Sequence, residues 1–125
     1  MPKQSVSVPD APPPGGPYSS AVIAGDFVYL AGAVPKRADG SWVGGTFAEQ
    51  AHATFGNLAT VARAAGADLS QAVRVGVYLA DWADFAEMNE IYAEYFGTEN
   101  PPARTTLPLA LNGFAIEADA VLYLG

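Results

Sequence analysis

An α+β fold, one sheet with two helices on the same face, is predicted by three features of the sequence. Two stretches repeat apolar residues at helical spacing between cap signals. Several shorter apolar runs are separated by glycine-containing turns, and no third helical stretch is available to cover the sheet's other side. The chain of 125 residues suits one domain spanning 1–125, with a Pro-rich lead-in over 1–15.

In chain order, Ser5–Val8 is a candidate first strand. "AVIAGDFVYLAGAV" (21–34) is two apolar runs joined at Gly25-Asp26, a pair suited to a tight hairpin turn. Thr46 with Glu49 forms a capping box, and Gly66 is a C-terminal stop. Between them Phe47, Ala51, Phe55, Leu58, Ala62 and Ala65 share one helical face. "AVRVGVYLA" (72–80) reads as a buried strand. The second helix starts near Asp81 or Asp84 and ends at Gly97, with the apolar stripe Phe85, Met88, Tyr92 and Phe96 and an acidic outer face. Last, "ARTTLPLAL" (103–111) and "FAIEADAVLYL" (114–124) flank Asn112-Gly113, a strong hairpin signal. The predicted order is β-β-α-β-α-β-β after the optional first strand. Phe27–Ala31 and Val73–Leu79 are apolar on both alternations, as in strands buried on both faces. Another copy of the chain would have to cover the free face, so an oligomer is expected.

Composition narrows the function. Six Lys or Arg face thirteen Asp or Glu, a net charge of −7 that repels phosphate backbones and argues against nucleic-acid partners. The absence of cysteine excludes disulfides and a thiol nucleophile, and one histidine makes a His-rich metal site improbable. With neither a signal-like start nor a run of about 18 apolar residues, a soluble cytoplasmic protein with no membrane partner is expected.

Arg104 stands out in this background. It is the only basic residue in the last 51, among eight carboxylates. Pro101 and Pro102 make a stiff, extended approach to it, a rigid mount for a guanidinium that could grip a planar carboxylate through a two-point fork. Glu117 and Asp119, two apart on the last strand, emerge on one face. If the Asn112-Gly113 turn closes a hairpin, Arg104 and Glu117 lie on partnered strands. They would then form either a structural ion pair or a site in which Arg104 holds a ligand carboxylate and Glu117 handles a proton. Tyr18 could be a turn-packing aromatic and Asn89 a cap for a neighbouring loop. His52 reads as locally satisfied, and Trp42 and Trp82 as packing at element edges.

Taken together, "GPYSSAV" (16–22), "GDFVYLAG" (25–32), "NLATVARAAGADL" (57–69), "VYLADWADFAEMNEIYAEYF" (77–96) and "PPARTT" (101–106) resemble the RidA family, also called YjgF or endoribonuclease L-PSP, in the same order along the chain. The resemblance implies a chorismate-mutase-like fold and a homotrimer whose central barrel buries the free sheet faces, with active sites in clefts between subunits. It also implies cofactor-independent hydrolysis of enamines and imines such as 2-aminoacrylate and 2-iminobutyrate to 2-keto acids and ammonia. By the same resemblance Arg104 clamps the substrate carboxylate, Glu117 serves the attacking water, and Tyr18 and Asn89 line the cleft. Three positions depart from the family pattern. Ala31 and Ala33 stand where a hydroxyl and an amide are usual, and Thr106 stands where cysteine is common. A roomier, more apolar cleft is expected, suited to a larger imine or keto acid. A non-catalytic binder of carboxylate metabolites is the reading from another class; ribonuclease action is disfavoured by the acidic surface.

Overall fold

The computed structural model describes residues 2–125. Six strands form one mixed sheet: β1 (Gln4–Val6), β2 (Ala21–Ala24), β3 (Phe27–Ala33), β4 (Ala72–Leu79), β5 (Ala103–Pro108) and β6 (Ile116–Tyr123). Their spatial order is β1-β2-β3-β6-β4-β5, with every neighbouring pair antiparallel except β4 and β5. Helices α1 (Phe47–Ala64) and α2 (Phe85–Phe96) pack on one face, as expected from the sequence.

Local chemistry explains most boundaries. Thr46 accepts the Glu49 backbone N–H while the Glu49 carboxylate accepts from the Thr46 N–H, so two otherwise orphaned donors at the start of α1 are satisfied. The Asp81 side chain caps a short 3-10 turn, Trp82–Asp84, that leads into α2. The β2–β3 turn is the two-residue Gly25-Asp26 loop, and Gly25 takes φ +60°, a conformation that an L side chain resists.

The core lies between helices and sheet. Phe55 meets Tyr92 and Phe96 edge-on, and fully buried Leu58, Val28, Val75, Val77, Leu79, Ile116 and Leu122 fill the layer beneath. Each such side chain contributes about 1.5–3 kcal/mol on burial. The opposite face is different. Phe27, Tyr29 and Tyr123 are 38%, 49% and 43% exposed there. The apolar alternation predicted for these strands is therefore present, but within one chain only the helix side is buried.

The Asn112-Gly113 hairpin is not formed. β5 runs parallel to β4, and β4 lies between β5 and β6. The connecting segment leaves β5 with the Leu109 N–H bonded to the Leu79 carbonyl and returns with the Ala80 N–H bonded to the Ala115 carbonyl. The end of β4 thus ties both sides of the loop, which arches over that strand instead of folding back on β5. Gln50 of α1 accepts from the Ala115 N–H and pins the start of β6.

Candidate functional site

Arg104 projects from β5 toward α2. It lies opposite Val75, which is fully buried beneath the helices, and directly opposed residues share a sheet face. Its guanidinium carbon sits 4.7 Å from the centroid of the Tyr92 ring and 5.8 Å from that of Phe85, and Nη1 is 4.0 Å from Met88 Sδ. Cation–π contacts of this kind contribute about 0.5–2 kcal/mol and hold the side chain without neutralising it. None of these partners is a carboxylate. The structural ion pair with Glu117, one of the two readings open from sequence, is absent.

Polar groups left without partners gather on the same two elements. Asn89 lies four residues after Phe85 and three before Tyr92, on one stripe of α2; Thr106 follows Arg104 by two along β5 and shares its face. Asn89 Oδ1, the Tyr92 hydroxyl and Thr106 Oγ1 are all buried, and among the described residues none has a hydrogen-bond partner of good geometry, the Tyr92 oxygen having only the Arg104 guanidinium close by. Asn89 therefore does not cap a loop. Leaving such a group unsatisfied costs about 1–3 kcal/mol, so three beside one uncompensated cation call for an explanation beyond packing. Burial pushes the Tyr92 hydroxyl pKa up, and the Arg104 guanidinium opposes this in part through its charge and its hydrogen-bonding approach to the oxygen.

Tyr18 and Ala31 lie together elsewhere, and Glu117 borders that place only through Gly32. β3 bulges between Leu30 and Ala33, where Ala31 and Gly32 line a hollow of about 90 Å³ with Tyr18, Ala33 and Lys36. The Tyr18 hydroxyl accepts the Gly15 N–H at 3.0 Å, folding the Pro-rich lead-in over the hollow's rim, while the residue as a whole stays 53% exposed. Asn57 Nδ2 fastens the far wall by donating to the carbonyls of Val34 and Lys36. The Glu117 carboxylate lies against Gly32, where any Cβ would overlap it. Burial first, then the neighbouring Asp119 charge, push the Glu117 pKa above its ordinary value.

The two groups do not meet within one chain. Arg104 is opposite Val75 and Glu117 is opposite Tyr78, three residues further along β4. An odd separation puts them on opposite faces of the sheet, and β4 keeps their strands about 10 Å apart. The expected proximity of Arg104 and Glu117 on partnered strands is thus corrected. Tyr92, Phe85 and Gly32 were not singled out as site residues from sequence. The first two sit on a helical stripe that reads as core, and Gly32 reads as a strand glycine of the "AGA" run. Of the packing assignments, His52 Nδ1 bonds the Tyr95 hydroxyl at 2.9 Å, Trp82 stacks on Phe85 and Trp42 on Phe114.

The sequence pattern of the family described as Endoribonuclease L-PSP matches residues 8–123. The chain belongs to this family, also known as RidA. A RutC family protein of Pyrococcus horikoshii is 40% identical over 124 residues, 97% of this chain and 98% of the relative. A 2-iminobutanoate/2-iminopropanoate deaminase of Dermatophagoides farinae is 37% identical over 111 residues, 87% of this chain and 85% of that protein. Among solved structures, RidA from an Antarctic Psychrobacter species matches with a TM-score of 0.89 at 32% identity, covering 96% of this chain and 98% of the other. The RidA family thus includes imine deaminases, and the mixed sheet with two helices described above is its fold. Among the described residues, no helix is long and apolar enough to cross a membrane.

Proposed function

We propose that the chain is a cofactor-independent deaminase of the RidA type, acting in the cytoplasm to hydrolyse 2-imino acids and their enamine tautomers, such as 2-iminobutyrate and 2-aminoacrylate, to 2-keto acids and ammonia. The observation that carries this reading is the Arg104 guanidinium, held by aromatic faces and by no carboxylate, on the same helix stripe and strand face as three buried oxygens without well-formed hydrogen bonds. Arg104 grips the substrate carboxylate through its fork. Asn89 and Thr106 bond the polar atoms that follow, and the partnerless groups become satisfied. Each charge-assisted bond contributes about 1.5–3 kcal/mol.

The opposite-face placement of Glu117 supports a site shared between neighbouring copies in a homotrimer. One subunit supplies Arg104, Asn89 and Thr106; the next supplies Glu117, Tyr18 and Ala31. The exposed aromatics of the free sheet face support the same assembly. In the reaction, Glu117 takes a proton from water as its oxygen adds to the iminium carbon, giving a carbinolamine. Glu117 then returns the proton to nitrogen, the C–N bond breaks, and the hydroxyl proton leaves with ammonia as ammonium. The electrophile is already activated, so proximity and proton handling are what the protein must supply.

Arg104→Lys tests the reading. With a dehydratase generating 2-iminobutyrate, the variant is expected to lose roughly 100-fold in kcat/KM, because an ammonium cannot reproduce the two-point fork. Wild-type turnover by this variant contradicts it. A Glu117→Gln variant that kept its affinity for 2-ketobutyrate, alongside a wild type with no turnover, would mark a binder instead.

The apolar hollow beside Tyr18 favours a second reading, a larger imine or keto acid as the preferred substrate. Ala31→Ser, which returns a hydroxyl there, is expected to shift kcat/KM toward 2-aminoacrylate by on the order of tenfold relative to a bulkier imine. An unmoved ratio counts against a role for the hollow in selection.

A further inference from the structure

Glu117 does not stand alone on the free face of the sheet. Asp119, two residues on along β6, emerges on the same side. Across the ladder on β4, Tyr78 lies opposite Glu117 and Gly76 lies opposite Asp119. The Tyr78 side chain leans back over Gly76, and its hydroxyl donates to Asp119 Oδ2 at 3.0 Å. A Cβ at Gly76 would fall 2.5 Å from Asp119 Oδ1 and 2.6 Å from the Tyr78 hydroxyl, so a side chain there would push this pair aside. Gly32, on the other flank of β6, is likewise cleared for Glu117. Two glycines on the two strands beside β6 thus make room for two carboxylates and a phenol, an arrangement that nothing in the packing of the core requires.

The other charged or titratable groups on this face are few. Arg74 of β4 commits Nη2 to Thr105 Oγ1 at 2.8 Å and Nη1 to the Val75 carbonyl at 3.0 Å, and bonds neither acid. Tyr29 of β3 is opposite Val121, one same-face position beyond Asp119. β3 contributes only glycine and alanine next to Glu117.

We propose that Asp119, fixed by Tyr78, is a positioning residue that sets the protonation of Glu117 during imine hydrolysis. This rests on the reading of Glu117 as the proton-handling group. A fixed like charge on the same strand face disfavours ionised Glu117, which brings it toward the condition in which one group both accepts and returns a proton. The upward shift of Glu117, caused by burial and then by Asp119, has the matching sign. Burial and the bond to Asp119 also push the Tyr78 hydroxyl up, so it stays a donor throughout the working range.

The test follows the Glu117 carboxyl carbon by NMR in the full-length oligomer labelled at glutamate Cδ, assigned by its loss in Glu117→Gln, together with the acid limb of kcat. Ionised Glu117 is the form that takes the proton from water, so activity rises with pH through its titration. Asp119→Asn is expected to move both the carbon titration and the acid limb to lower pH, and Asp119→Glu to restore both. Tyr78→Phe, which frees Asp119 to turn away, is expected to give a smaller shift of the same sign. An inactive Glu117→Gln combined with an unmoved Glu117 titration in folded Asp119→Asn overturns the role of Asp119 alone. Full turnover by Glu117→Gln overturns the proton-handling role itself, and with it the role of Asp119 in catalysis.

Discussion

The two halves of the candidate site are built on opposite principles. Beneath α2, Arg104 sits among aromatic faces with three buried oxygens lacking partners, a surface that is chemically incomplete. On the free face, Asp119 and Tyr78 already bond each other, and glycines at 32 and 76 leave space for them and for Glu117. On the proposed reading, the first region receives a ligand. The second is arranged to hold acids in place before any ligand arrives. Preorganised charge of this second kind does not have to reorganise as reaction proceeds, which is where polar sites gain most of their effect.

This contrast can be broken most severely at Gly32. Gly32→Ala puts a methyl group where the Glu117 carboxylate lies, and displacing an acid by about 1 Å can cost on the order of 100-fold. The expected outcome is a kcat reduced by that order, with 2-ketobutyrate affinity at the Arg104 half nearly unchanged. Steady-state kinetics and calorimetric titration check the two parts, and an equal loss in both would mean that the halves are not separate.

A smaller effect sharpens the comparison through two phenols. The Tyr92 hydroxyl is buried without a partner, whereas that of Tyr78 is bonded to Asp119. Tyr92→Phe is therefore expected to stabilise the ligand-free protein by about 1 kcal/mol and weaken ligand binding, while Tyr78→Phe destabilises it by about the same amount. Urea melts of both variants give the signs. Destabilisation by both would show that the Tyr92 oxygen is not an orphan in solution.

What could be read from sequence follows the range of the signals. The Thr46–Glu49 capping box, the Gly25-Asp26 turn and the ends of both helices depend on residues a few positions apart, and they appear where expected. The Asn112-Gly113 turn is an equally local signal, but it was overruled by a distant pairing. β4 takes β5 as a parallel neighbour on one side and β6 on the other, and no dipeptide encodes that choice. The error then carried into the site, because the relative face of Arg104 and Glu117 depends on parity counted through β4. Arg104 was visible as the one cation in an acidic half, and Glu117 through its spacing from Asp119. Tyr92 was not, since a tyrosine at helical spacing looks like core until its hydroxyl is found without a partner. Gly32 was silent for a similar reason: its role is to be absent from space that another strand's side chain occupies.

The division of one site between neighbouring copies is tested most directly by complementation. Arg104→Ala and Glu117→Gln are expected to be inactive separately. Co-assembled in equal amounts, they should recover about one quarter of the wild-type rate per site, the fraction of interfaces in a cyclic oligomer that pair an intact arginine with an intact glutamate in the right order. Mixed oligomers that form but stay as inactive as either parent would contradict a site shared between subunits.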